Sequence, residues 1–171
     1  MKTAKLIIDG KEIEIQINEE QLEQLCPQKK KTGYERAEFG KYYWRINDTG
    51  LPSNSITEGN GYYDTELYNS GNYYSDKTVA ENNARADKLM RQLRRFAVEH
   101  REKKLDWVKN NYSPKFKIIF DHNEEDIRAD DNKCIQLYGT IYFDTEEIAE
   151  LAIDTFKDEL LWYFTEYKDS L

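Results

Sequence analysis

The chain has 171 residues, with 25 Lys and Arg against 33 Asp and Glu, for a formal net charge of −8. That length suits one domain of ordinary size, and 8 Gly, 3 Pro and 2 Cys exclude collagen-like and disulfide-stapled architectures. No apolar run approaches the ~18–20 residues of a membrane-spanning helix.

The N-terminal stretch Met1-Lys2-Thr3-Ala4-Lys5 leads straight into a strand pattern and carries no secretory signature. Leu6-Ile7-Ile8-Asp9, Gly10-Lys11 and the strict alternation Glu12 to Ile17 predict a β-hairpin. Asn18 and Gln21 form a capping-box pair for a short helix, Glu19 to Leu25, which Pro27 stops. The charged connector 28–33 divides this N-terminal unit, 1–30, from the rest, 31–171. Tyr34 to Glu38 and Lys41 to Ile46 read as a second hairpin turning at Phe39-Gly40, and Asp48 to Gly61 as a long loop. Strand character returns at Leu67-Tyr68 and Asn72-Tyr73-Tyr74. The pairs Tyr42-Tyr43, Tyr62-Tyr63 and Tyr73-Tyr74 would each place one ring inside and one outside if they lie on strands.

Ser75 is the expected cap of a long helix whose apolar stripe runs from Val79 through Leu89, Leu93 and Phe96 to a stop after His100, with a restart at Leu105 to Val108. Lys115 to Phe120 is a strand, Asp121 to Asn132 an acidic loop, and Cys134 to Phe143 a strand bent at Gly139. A last helix starts near Asp144 or Thr145, with Ile148, Ala152, Phe156, Leu160 and Phe164 four apart on one face. Cys26 and Cys134 read as free thiols of a cytoplasmic protein.

Charge is unevenly spread. Residues 85–120 hold 11 basic and 4 acidic side chains, whereas residues 121–171 hold 4 and 15. On the long helix, Lys88, Arg91 and Arg95 recur three and four apart with Arg94 on their flank, a row able to contact phosphates, or to dock on the acidic C-terminal third. On the last helix, Glu146, Glu150, Asp154 and Asp158 recur every four residues, about 6 Å per step along the axis. Like charges at that spacing destabilise a helix by a few tenths of a kcal/mol per pair, so the row implies a use: filling a basic groove in place of a nucleic-acid backbone. No nucleophile, P-loop, dinucleotide or zinc motif is present. The expectation is a non-enzyme without metal or cofactor.

Two stretches repeat at an offset of 69 residues. Tyr74-Ser75-Asp76-Lys77-Thr78-Val79-Ala80-Glu81 parallels Phe143-Asp144-Thr145-Glu146-Glu147-Ile148-Ala149-Glu150, each with a glycine upstream, Gly71 and Gly139. The expected fold is therefore α+β: tandem ββα-like units, 41–100 and 115–167, forming an antiparallel sheet packed against two long helices, with the N-terminal hairpin and short helix appended.

These junctions, together with Lys31-Thr32-Gly33-Tyr34-Glu35-Arg36, Arg94-Arg95-Phe96-Ala97 and Gly139-Thr140-Ile141-Tyr142, resemble a family of small proteins encoded by phages and prophages of Gram-positive bacteria, over roughly 31–165. The matching motifs are turns, caps and core positions, so no catalytic residue carries over. The resemblance implies an accessory protein acting in the cytoplasm of an infected cell, of the type that inhibits host defences, including anti-CRISPR proteins. Its partner would be a host defence effector. The alternatives are nucleic acid held by Lys88, Arg91, Arg94 and Arg95 with exposed tyrosines, or a homo-oligomer such as a homodimer in which basic and acidic helices of different copies meet.

Overall fold

A computed structural model of the chain describes residues 2–8, 10–18, 21, 31–109 and 111–167. Strands β1 (Lys2–Ile8) and β2 (Lys11–Ile17) pair antiparallel, from Lys2 opposite Ile17 to Ile8 opposite Lys11, around Gly10 at φ +79. The expected cap pair forms: Gln21 N–H donates to Asn18 Oδ1 at 2.7 Å, and Asn18 N–H to Gln21 Oε1 at 3.1 Å. The rest of the expected short helix, with Cys26 and Pro27, lies outside the described residues.

Strand β3 (Tyr42–Ile46) pairs antiparallel with β4 (Pro52–Thr57), inside what the sequence presents as a loop. The partner is selected by a tight turn. Asn47 Oδ1 accepts from Thr49 N–H and Leu51 N–H while Gly50 takes φ +80. Pro52 heads its strand, where its missing N–H does least harm. Tyr34 to Glu38, expected as the partner of β3, forms no strand. Helix α1 (Tyr62–Asn69) replaces the strand expected around Leu67-Tyr68. Helix α2 (Lys77–Glu99) then runs the expected length, capped by Asp76 rather than Ser75, with Asp76 Oδ1 accepting from Val79 N–H at 3.0 Å.

In the second half, β5 (Lys115–Asp121) pairs antiparallel with β6 (Asp126–Asn132). The acidic segment is thus half of a hairpin. Ile127 and Ala129 alternate inward to the core, and Arg128 and Asp130 to the opposite face. The stretch 134–142 forms no strand, and no helix restarts at 105–108. The last helix is broken: α3 (Glu146–Thr155) ends at Phe156 (φ −116, ψ 20), and α4 (Lys157–Trp162) passes into a π-helical turn, Tyr163–Tyr167.

The two helix starts are built alike. Trp44 of β3 exchanges both backbone hydrogen bonds with Tyr74 (2.8 and 2.9 Å), and Phe116 of β5 does the same with Phe143 (2.9 and 2.8 Å). Asp76 and Thr145, each two residues further on, cap the following helices by accepting from Val79 and Ile148 N–H. Gly71 and Gly139 turn the chain upstream at φ +76 and +73. This arrangement also explains why no single sheet forms. The free edge of β3 and of β5 is taken by the segment leading into a helix, so each hairpin stays a two-stranded sheet among the described residues.

Helix α2 is the shared spine, packed on β3 and β4 on one side and on α3 on the other. Leu89, Leu93, Phe96 and Ala97 meet Ile127, Phe143, Ile148, Ala152 and Leu160 in the main core, closed by Phe116, Ile118 and Phe120. Burying side chains of this size stabilises by about 1.5–3 kcal/mol each relative to exposure. Of the tyrosine pairs, Tyr42-Tyr43 splits as expected into outside and inside. Tyr62 and Tyr63 are both exposed because they begin a helix, and Tyr73 and Tyr74 both buried because each ring meets a different partner, Tyr43 and Tyr34.

Candidate charged interaction faces

Helix α2 turns its apolar stripe to both halves, which leaves Lys88, Arg91, Arg94 and Arg95 on its exposed side. Among the described residues none of these four pairs with the acidic C-terminal third; Arg95 makes only a 3.8 Å contact to Glu99 on its own helix. The cation that does cross to that third is Arg85, earlier on α2. Its Nε lies 2.8 Å from Glu159 Oε2, and its guanidinium stacks 3.9 Å from the Trp162 ring centroid.

The basic row borders an open cleft that Thr49, Gly50 and Arg91 divide into two pockets. Arg91 lies against the β3–β4 turn, and a Cβ added at Gly50 would sit 3.0 Å from Arg91 Nη2. On one side of Arg91 the cleft is lined by Lys88, Gln92, Arg95 and Leu51, with a volume of about 560 Å³. On the other side, of about the same 560 Å³, it is lined by Asp48, Asn72, Tyr74 and Asp87. The turn half of this cleft was hidden in the sequence, because it depends on the pairing of β4.

The acidic row is exposed too. Glu146, Glu150 and Asp154 share the outer side of α3, opposite buried Ile148, Ala149, Ala152 and Ile153. The break at Phe156 puts Asp158 in the first turn of α4, so the fourth carboxylate belongs to a separate helical segment. Among the described residues none of the four has an ion pair. Glu125 and Asp126, from the β5–β6 turn, line a cleft of about 440 Å³ with Asp154 and Lys157, which widens the acidic surface beyond the row. Asp121 of the same hairpin is neutralised, 3.1 Å from Arg128. At the start of α3 the Glu147 carboxyl is held below its ordinary range by its own backbone N–H and the Thr145 hydroxyl.

A third group of charges centres on two buried carboxylates, Glu58 and Asp64. Arg36 clasps the Glu58 carboxylate with Nε and Nη2 at 2.9 and 3.1 Å, while Tyr73 OH donates to it at 2.8 Å and Asn60 N–H at 2.7 Å. Asp64 accepts from Tyr43 OH at 2.8 Å and from Gly59 and Gly61 N–H at 2.9 and 3.1 Å. The Tyr43 and Tyr73 rings stack at 4.0 Å between the two carboxylates. Glu58 is 1% exposed, and its partners consume its acceptor sites, so this network fastens β3, β4 and α1 together and offers no reacting atom. Its only trace in the sequence is the cluster of tyrosines.

Two buried lysines sit on the outer face of β5. Lys115 Nζ lies 4.9 Å from the Trp107 ring centroid and donates to Lys133 O, and Lys117 pairs with Asp130. His100 stacks on Phe96 at 3.9 Å with Nδ1 near the Phe96 carbonyl, at the end of α2. Cys134 is a free, exposed thiol. Among the described residues no group of three or more His, Cys, Asp or Glu is placed to hold a metal ion, and no helix is long and apolar enough to cross a membrane.

Comparison of the chain with protein-family models, with curated proteins and with solved structures finds no match.

Proposed function

We propose that the chain is a non-enzymatic binding protein that covers a basic groove on a partner protein with Glu146, Glu150 and Asp154 of α3 and Asp158 of α4. One observation carries this reading. The chain leaves these carboxylates exposed and without ion pairs among the described residues, although its own basic row lies on the neighbouring helix. Repelling charges four apart weaken the helix slightly, and a basic partner relieves that repulsion. The resemblance to phage-encoded accessory proteins supports a host defence effector as the partner, most simply a CRISPR-type nuclease whose nucleic-acid groove is basic, met in the bacterial cytoplasm.

The test exchanges Glu146, Glu150, Asp154 and Asp158 for Lys. The variant should keep the melting temperature within a few degrees and lose inhibition of the effector. A folded variant that still inhibits overturns the assignment.

A second reading has its own observation. Lys88, Arg91, Arg94 and Arg95 are exposed and flank a cleft, which suits nucleic acid. It predicts direct binding that weakens steeply with salt. Absence of binding to RNA and DNA at low salt removes it.

A further inference from the structure

We propose that the cleft between α2 and the β3–β4 turn holds one ribose–phosphate unit, with the phosphate on Lys88, Arg91 and Arg95 and the ribose hydroxyls on Asp48 and Asp87. This rests on the second reading, that the basic side of α2 binds nucleic acid, and it specifies which nucleic acid.

The cleft is asymmetric in charge. Arg91 stands in its middle, beside the turn at Gly50: φ there is +80, and a Cβ would lie 3.0 Å from the guanidinium. On the Lys88 side the cations stand three and four residues apart on one helix face, within reach of a single phosphate. On the Asp48 side most polar groups are already committed. Asn72 exchanges hydrogen bonds with the Ile46 backbone at 2.7 and 2.8 Å, Ser70 Oγ donates to Leu67 O at 3.0 Å, and Asn47 Oδ1 serves its own turn. Among the described residues the Asp48 and Asp87 carboxylates have no hydrogen bond or ion pair, Asp87 facing only the Tyr74 and Tyr167 phenols, and both line this side. Asp87 stands one turn before Arg91, at the spacing of a helical ion pair, yet none joins them.

Carboxylates repel phosphate and accept from hydroxyls. A ligand spanning the cleft must therefore carry an anion at one end and hydroxyl donors at the other. A free ribonucleotide meets that demand with its 2′- and 3′-hydroxyls and a ribose within RNA with its 2′-hydroxyl, whereas deoxyribose within a DNA strand has neither. Each side is of ordinary ligand-site size. The unit can arrive as a free ribonucleotide or as part of an RNA strand.

The experiment measures binding of RNA and DNA ten-mers of the same sequence by fluorescence anisotropy at low salt, with adenosine monophosphate as competitor. RNA should bind at least tenfold more tightly than DNA. Asp48→Ala with Asp87→Ala, which removes both acceptors, should reduce that ratio to near one, and Arg91→Ala should weaken RNA binding at least tenfold with the melting temperature unchanged. Displacement by the mononucleotide assigns the free nucleotide as a source, and its failure to displace bound RNA assigns the strand; either supports the site. Equal binding of RNA and DNA, untouched by the double Ala variant, overturns the ribose assignment while leaving α2 a nucleic-acid face. No binding of any of the three overturns both.

Discussion

Arg36 closes on Glu58 across 22 positions of sequence, with both guanidinium contacts on the two oxygens of one buried carboxylate. This pair ties the segment before β3 to the end of β4. Removing Glu58 strands the Arg36 charge, the Tyr73 hydroxyl and the Asn60 N–H together. Glu58→Ala should therefore destabilise the domain by about 3 kcal/mol, at the low end for a broken buried pair because Arg36 keeps some access to water. Tyr73→Phe, which loses a donor to Glu58 and an acceptor for Ala37 N–H, should cost about 1–2 kcal/mol. Urea denaturation of the two variants checks both.

The same network sets a pH window. The Glu58 carboxyl is held below its ordinary value chiefly by Arg36, and that of Asp64 chiefly by the Gly59 N–H. A carboxyl depressed in the folded state binds fewer protons there than in the unfolded chain. Its contribution is complete above the unfolded value, near 4, and is lost as pH falls towards the folded one. Burial acts oppositely on the phenols, raising Tyr43 and pushing Tyr73 up to about 12. Their contribution is complete below about 10 and is lost as pH climbs towards the folded value. Stability should be flat from about pH 5 to 9 with respect to these groups and fall on both sides. Glu58→Gln should flatten the acid limb, and Tyr73→Phe the alkaline limb, in melting curves taken across pH.

Gly33 and Gly71 separate two uses of glycine. Both have positive φ, but a Cβ at Gly33 would come within 2.6 Å of Val79 Cγ2, while one at Gly71 meets nothing. Gly71→Ala should cost about 1 kcal/mol, the left-handed backbone alone. Gly33→Ala adds the clash at the first turn of α2 and should lower the melting temperature clearly further.

How much was legible in the sequence follows from the range of the forces involved. Local signals held. The Asn18–Gln21 cap, the span of α2 up to Glu99 and the repeated junction at Tyr74 and Phe143 are set within a few residues. The cap of α2 fell one residue later than expected, on Asp76, and that of α3 on the later of its two expected starts, Thr145, because the residues before them are used elsewhere. Ser75 donates to Glu35, and Asp144 accepts from Glu102 and Lys103 N–H. Strands β4 and β6 were obscured because their sequences are polar, and only pairing with β3 and β5 makes them strands. Helix α1 was obscured by tyrosines, which favour strands on average. Of the candidate faces, both charged rows were readable from helical spacing, except that the break at Phe156 sets Asp158 on α4. The Gly50 turn beside Arg91 and the Glu125 and Asp126 flank of Asp154 arise from β4 and β6 and came only with the fold.

Arg85 joins the halves from the N-terminal half of α2, stacked on Trp162 and paired with Glu159. Both side chains of the ion pair are substantially exposed, so the stacking should matter more than the charge. Arg85→Ala should cost about 1 kcal/mol and loosen α4 selectively. Faster amide exchange over Lys157–Trp162 with unchanged exchange in β3 and β4 is the expected pattern.

The central claim is that the exposed carboxylates capture a protein. It is met most directly by affinity capture from host-cell lysate with the wild-type chain and with the variant carrying Lys at 146, 150, 154 and 158, each with and without nuclease, read by mass spectrometry. One stoichiometric protein should survive nuclease on the wild-type chain and be lost from the folded variant. The same protein retained by the variant, or a partner list that collapses with nuclease, contradicts it.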